Sequence, residues 1–88
     1  MNGEETREIT IRGKILPAEW DKDRNVTGIG IETDDEEDYI IFLNKTGEKL
    51  LSYIERNVEA TGTVKKMYGE YIFTVNSYTL LEEDDEKK

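Results

Sequence analysis

The stretch from Tyr39 to Lys65, YIIFLNKTGEKLLSYIERNVEATGTVK, changes its hydrophobic period twice and thereby decides the fold. Residues 39–43 are apolar at every position, which is typical of a strand covered on both faces. Between residues 46 and 56 the apolar side chains follow one stripe of a helix of about three turns. Alternation of period two returns at residues 58–65 and indicates another strand. A helix is therefore predicted between two strands.

The predicted helix carries signals for both of its ends. Thr46 suits the N-cap position because its hydroxyl can accept a hydrogen bond from a free backbone N–H. Glu48 and Arg56 have the signs that the helix dipole favours at the N-terminal and C-terminal ends. Asn57 tolerates the left-handed conformation that ends many helices. We expect one short amphipathic helix with a single face to bury.

Two strands precede this stretch. Residues 8–16 alternate, and the alternation places Ile9, Ile11, Gly13 and Ile15 on one face. Pro17 cannot donate a backbone hydrogen bond, so regular pairing ends there or a bulge forms. Residues 26–33 form the second strand, in which Gly28 and Gly30 indicate sharp coiling or the close approach of another backbone.

Turns and a fifth strand complete the order. Residues 21–25 read as a hairpin connection, and the five acidic residues 34–38 read as the next turn. Tyr68-Gly69-Glu70 supplies a turn before the last strand, at residues 71–81, with an irregularity near Asn76 and Ser77. The order is strand, strand, strand, helix, strand, strand. Closure of five such strands into a barrel removes the open edges of a sheet.

This pattern resembles the small stand-alone bacterial proteins of the oligonucleotide/oligosaccharide-binding (OB) fold. The likeness covers about residues 7 to 81 and rests on four features: Gly13, the Ile11–Ile15 run, the helix at 46–56 and the strand from Val58 to Val64. It implies an all-β, five-stranded Greek-key barrel with one helix closing an end. It also implies a ligand lying across strands two and three, flanked by the loops between strands 1 and 2 and strands 4 and 5. Function does not follow from this fold.

Domain organisation follows from the same pattern. We expect a flexible N-terminus at residues 1–7, a single OB-fold domain at 8–81 and an acidic disordered tail at 82–88. Residues 1–5 are acidic and polar, unlike a secretory signal. The longest apolar run, Tyr39 to Leu43, has five residues and is too short to span a membrane. We therefore expect a cytoplasmic protein without a membrane partner.

Composition excludes several kinds of site. The 88 residues include no cysteine and no histidine, which excludes disulfides, thiolate nucleophiles and zinc sites built on these residues. Catalysis by carboxylates alone needs a sheltered pocket that separates two pKa values, and a small domain rarely forms one. We expect a binding protein, not an enzyme, with no cofactor and no metal. The spacing Asp21-x-Asp23-x-Asn25 echoes a calcium loop, but Val26 stands where such a loop needs glycine, so a hairpin turn explains it better.

Six residues in the two flanking loop regions are candidates for ligand binding: Trp20, Arg24, Lys65, Lys66, Tyr68 and Tyr71. Rings that stack on bases and amines that meet phosphates are what single-stranded nucleic acid requires. The net charge of −9 opposes that use, because affinity for nucleic acid comes largely from neutralising phosphates. Acids adjoin the same loops.

A protein or peptide partner is the other hypothesis, and we favour it narrowly over single-stranded nucleic acid. Outward apolar side chains such as Ile40 or Phe42 would form an interface patch if nothing covered them. The negative charge would then steer basic partners toward the protein. The sequence thus predicts an acidic binding module of unknown function, with either kind of ligand.

Overall fold

The computed structural model describes residues 7–81, which form a closed five-stranded barrel. Its elements are β1 (Arg7–Trp20), β2 (Val26–Thr33), β3 (Asp38–Ile41), α1 (Lys45–Lys49), a 3₁₀-helix (Leu50–Tyr53), β4 (Asn57–Met67) and β5 (Glu70–Leu80). The strands follow the order β1-β2-β3-β5-β4 around the barrel. Only the β3–β5 pair is parallel. The predicted fold class, a five-stranded OB-type barrel with one helix, is confirmed.

The N-terminus and tail that the sequence predicts as flexible lie outside the described residues, except that β1 begins at Arg7. Within residues 7–81, no helix has both the length and the apolar composition needed to cross a membrane.

The barrel interior is filled by the side chains that the period-two alternation points inward. The buried apolar residues come from all five strands and from the 3₁₀-helix: Ile11, Ile15, Ile29, Ile31, Ile41, Leu50, Val58, Ala60, Val64, Phe73 and Val75. No polar or charged residue in the described part of the chain is buried. Since a fully buried aliphatic or aromatic side chain stabilises a fold by about 1.5–3 kcal/mol, this interior is the main source of stability.

The helix is shorter than the sequence predicts. The expected three turns at 46–56 are wrong: α1 has five residues, and the chain then tightens into the 3₁₀-helix. Asn44, not Thr46, is the N-cap, and its side chain accepts a hydrogen bond of 2.8 Å from the backbone N–H of Gly47. Leu50 follows α1 and is fully buried, so the helical segment closes one end of the barrel as expected.

A long-range tether explains the early end of the helix. The N–H of Glu55 donates to the carbonyl of Ile15 at 2.6 Å, and the N–H of Ile15 donates to the carbonyl of Arg56 at 3.0 Å. These bonds hold the chain against β1, so residues 54–56 cannot continue a helix. The left-handed conformation falls on Glu55, with φ of 75°, and Asn57, predicted to end the helix, is instead the first residue of β4.

The strand irregularities lie where the sequence places them. Pairing of β1 with β2 shifts register between Pro17 and Glu19, so Pro17 sits beside a bulge and β1 continues past it. In the β4–β5 pair, Thr61 pairs with Ser77 and Gly62 pairs with Val75, which leaves Asn76 as the extra residue. Bulges of this kind bend strands, and a small barrel needs bent strands to close.

Candidate ligand-binding groove

A groove of about 460 Å³ lies on the outer face of β1, β2 and β3. Its floor is one row of register partners, because Leu16 pairs with Gly30 and Gly30 pairs with Ile40. The hairpin that joins β4 to β5 forms a wall through Gly69, Glu70 and Tyr71. The groove therefore lies across strands two and three beside the 4–5 loop, as the resemblance to OB-fold proteins implies.

Gly30 makes the floor of the groove low. It lies between Leu16 and Ile40, which flank it with half-buried apolar side chains. A Cβ atom at this position would come within 2.8 Å of the carbonyl oxygen of Tyr39. The predicted close approach of another backbone is thus the reason for glycine here, and the missing side chain leaves the space that a ligand can enter.

Carboxylates give the groove its charge. Glu32, Asp38 and Glu70 line it, and its described lining contains no lysine and no arginine. Glu32 and Asp38 are register partners on neighbouring strands, so their side chains leave the sheet side by side. Lys14 is the partner of Glu32 on β1 and gives that carboxylate a cation on its other side. The open side of the groove is negative.

Two tyrosines form the end of the groove next to the 4–5 hairpin. The rings of Tyr39 and Tyr71 lie 5.7 Å apart and are tilted by 42°, and Tyr39 also packs edge-on against Phe73. The hydroxyl of Tyr39 donates to a carboxylate oxygen of Glu37 at 3.0 Å. Burial, reinforced by the hydrogen bond to Glu37, raises the pKa of Tyr39 above its usual value. This end therefore stays an uncharged aromatic surface at neutral pH.

The six predicted site residues do not share one face. Tyr71 lines the groove, and the Nζ of Lys66 lies over its ring at 5.5 Å from the centroid. Lys66 lines a smaller hollow together with Arg7, Val64 and Tyr71. Lys65 lies one residue earlier in the strand and lines a different hollow. Successive strand residues point to opposite faces, which explains the separation of the two lysines.

The other three predicted residues lie in turns or at a strand end and do not line the groove. Tyr68 and Gly69 are the two central residues of the β4–β5 turn, both with positive φ, and Tyr68 is 96% exposed. Trp20 ends β1 opposite Val26 and is 56% exposed. Arg24 takes positive φ in the turn after it.

That turn is organised by Asp21. One carboxylate oxygen accepts the backbone N–H groups of Asp23 and Asn25, both at 2.9 Å. These bonds, that of Asn25 first, lower the pKa of Asp21. The Asp21-x-Asp23-x-Asn25 spacing is thus a hairpin turn built on an Asx residue, as expected. No group of three or more His, Cys, Asp or Glu residues within 7–81 is placed to hold a metal ion.

Glu32, Asp38 and Tyr39 line the groove, and none of them was predicted from the sequence as a site residue. The alternation of β2 already places Glu32 on the outer face, opposite to Ile31. Its pairing with Asp38 depends on how many residues the acidic turn uses, and Thr33 closes that turn by bonding to Glu37. The direction of each side chain was predictable, whereas their meeting required the register.

Comparison with known proteins returns no match: no protein family, no curated protein and no solved structure is significantly similar to this chain. The resemblance to small bacterial OB-fold proteins therefore stays a prediction as far as family is concerned.

Proposed function

We propose that this protein is a non-enzymatic OB-fold binding module whose groove takes a basic segment of a protein or peptide partner. One observation carries the proposal: three carboxylates, those of Glu32, Asp38 and Glu70, line the groove without a lysine or arginine among the lining residues. A lysine or arginine side chain laid in the groove meets these carboxylates while its alkyl stem covers Leu16 and Ile40. The net charge of −9 adds steering toward a basic partner.

The same lining disfavours nucleic acid in this groove. A single strand across β2 and β3 brings phosphates beside Glu32 and Asp38, within the screening distance of about 8–10 Å at physiological salt. Repulsion at that range removes the electrostatic attraction on which such binding depends. The cations that the sequence offers for phosphates, Lys65 and Lys66, line other hollows.

Single-stranded nucleic acid remains the second candidate because of one local arrangement. Lys66 lies over the ring of Tyr71, and Arg7 lines the same hollow of about 260 Å³. A ring beside two cations is the arrangement that stacks a base and meets its phosphate. This candidate places the ligand in that hollow, which shares only Tyr71 with the groove.

The non-enzymatic part of the proposal has its own support. No charged or polar residue among residues 7–81 is buried, so no described carboxylate occupies the sheltered site that acid–base catalysis requires. Asp21, whose pKa is lowered, is exposed and its carboxylate serves a turn.

The test compares two probes and two charge variants. One probe is an unstructured peptide of lysine and serine, and the other is a mixed-sequence single-stranded oligonucleotide of equal but opposite charge. The groove variant combines Glu32→Gln, Asp38→Asn and Glu70→Gln. The matched control combines Glu8→Gln, Glu48→Gln and Glu59→Gln, which changes the net charge equally at positions outside the groove lining.

Calorimetry and amide chemical-shift mapping give the readout. We expect the peptide to bind the wild-type protein with shifts at Gly30 and Ile40. It should bind the groove variant about tenfold more weakly, since each exposed ion pair contributes about 0.2–1 kcal/mol and three are lost together. The affinity of the control variant for the peptide should fall much less than that of the groove variant. Equal loss in both variants, or binding of the oligonucleotide alone, contradicts the proposal.

A further inference from the structure

A second hollow adjoins the groove on the same outer face of the barrel. It has a volume of about 320 Å³, and its lining includes Phe42, Met67, Ile72 and Lys65. Ile40 on the floor of the groove and Ile72 in this hollow are register partners in the parallel β3–β5 pair. Paired residues in a sheet point to the same face, so the two depressions meet at this isoleucine pair. We call the groove and the hollow together the trough.

Two exposed apolar side chains line the second hollow. Phe42 is 54% exposed and Met67 is 39% exposed, whereas every isoleucine, leucine and valine among residues 7–81 is wholly or partly buried. Phe42 is also fixed in place: its N–H donates to the carbonyl of Phe73 at 2.9 Å, and the preceding Ile41 is anchored in the core. Contiguous apolar groups held at a surface are typical of interaction sites.

The two ends of the trough differ in charge. The described lining of the groove carries carboxylates and no cation, while the lining of the second hollow contains no carboxylate. An occupant that complements both ends has a cation over Glu32 and Asp38 and an uncharged apolar group against Phe42 and Met67. Because the ends differ, such an occupant binds in one direction only.

We propose that the partner is a peptide segment that carries a lysine or arginine followed or preceded, about three residues away, by a large apolar side chain that enters the second hollow. This inference rests on the proposed function and specifies its ligand. The centre of the groove and that of the second hollow lie about two strand spacings apart, or about 10 Å at about 4.8 Å per strand. An extended peptide covers that distance in about three residues, at about 3.3 Å each.

The experiment uses three peptides of equal length. The parent has two adjacent lysines and a leucine about three residues beyond them. In the second, serine replaces the leucine, and in the third the leucine is moved to the far end of the peptide. Each is titrated by calorimetry into the full chain and into the variants Phe42→Ser and Phe42→Leu, whose folding is checked by thermal unfolding. The backbone bond of Phe42 to Phe73 is available to either variant.

We expect the parent to bind the wild-type protein about tenfold more tightly than the serine and displaced peptides, because its leucine leaves water when it enters the second hollow. Phe42→Ser should abolish this preference and Phe42→Leu should keep it. Equal affinities of all three peptides overturn the inference but leave the proposed binding of a basic segment in the acidic groove intact. No binding by any peptide overturns the proposed function as well.

A second copy of the chain is the competing occupant of the apolar hollow. Sedimentation of the peptide-free protein over a range of concentrations tests this directly. We expect a monomer in wild type and in Phe42→Ser. Self-association that Phe42→Ser removes would overturn the inference, because the hollow would then be an interface between copies.

Discussion

Glu32 and Asp38 are direct partners across the antiparallel β2–β3 pair, and both carboxylates line the groove. Like charges opposite each other in a sheet destabilise it. The fold therefore keeps an unfavourable pair at the place where we propose a cation binds. A partner that neutralises both carboxylates relieves this repulsion, which makes the pair a contribution to binding at a cost to the free protein.

Removing one charge of this pair should stabilise the free protein. For Asp38→Asn we expect the free energy of unfolding to rise by about 0.5 kcal/mol at low salt, with a smaller gain at high salt because exposed charges are screened. Urea denaturation at two salt concentrations measures the change. Glu8→Gln is the control, since the register partner of Glu8 is the uncharged Thr63 and no comparable gain is expected. A loss of stability in Asp38→Asn would contradict the prediction.

Asp21, in the loop between β1 and β2, should make the stability of the protein depend on pH in the acidic range. Its folded-state pKa lies below the ordinary value of 3.8, chiefly because its carboxylate accepts the backbone N–H of Asn25. The stabilisation is therefore present above the ordinary pKa and is lost as the pH falls through the lowered one. Asp21→Ala should lower the melting temperature at neutral pH, and the difference from wild type should narrow in strong acid.

Asp21→Asn is the matched variant for this effect. Its amide oxygen can still accept the N–H groups of Asp23 and Asn25 but does not titrate in this range. We expect it to melt above Asp21→Ala at neutral pH. A gap between Asp21→Ala and wild type that stays constant from neutral pH to strong acid would rule out the carboxylate as the cause.

Tyr39 should make the stability of the protein decline at alkaline pH. Its pKa is raised, first by burial and then by its hydrogen bond to Glu37. A raised folded-state pKa gives stabilisation that is present below the ordinary value of 10.0 and is lost as the pH rises through the raised pKa. Tyr39→Phe should flatten the decline of stability in this range. Thermal unfolding of both proteins across that pH range is the measurement, and parallel declines would contradict it.

Two glycines should respond very differently to a methyl group. A Cβ atom at Gly13 would overlap the carbonyl oxygen of Glu32, which is backbone, whereas at Gly28 it would lie 3.2 Å from the flexible side chain of Glu19. We expect Gly13→Ala to lower the free energy of unfolding by about 2 kcal/mol or more, and Gly28→Ala by less than about 1 kcal/mol. Urea denaturation measures both, and equal losses would show that the backbone overlap is not the cause.

The parts of the fold that were predictable from the sequence are those fixed by local alternation. Each inward residue of β1, β2, β4 and β5 has apolar neighbours two positions away, and only a strand buries such a set. The helix length was not predictable in this way. Its end is imposed by the bonds of Glu55 and Arg56 to Ile15, some forty residues away in sequence, and no local pattern records a contact of that range.

The candidate site shows the same division. The sequence gives the outward direction of Glu32 and the opposite faces of Lys65 and Lys66, because both follow from period two. It does not give the meeting of Glu32 with Asp38 or of Tyr39 with Tyr71. Those contacts depend on strand register and on barrel closure, which loops and bulges decide.

The barrel closes through a short parallel join, in which β3 meets β5 at the pairs Ile40–Ile72 and Ile41–Phe73. Few backbone bonds resist separation there, so we infer that local opening of the wall begins at this join. A ligand in the trough would contact both β3 and β5 and would hold the two strands together. Ligand binding would then raise the free energy of that local opening. Amide exchange in β3 and in the first half of β5 would become slower, so that binding also stabilises the closed barrel.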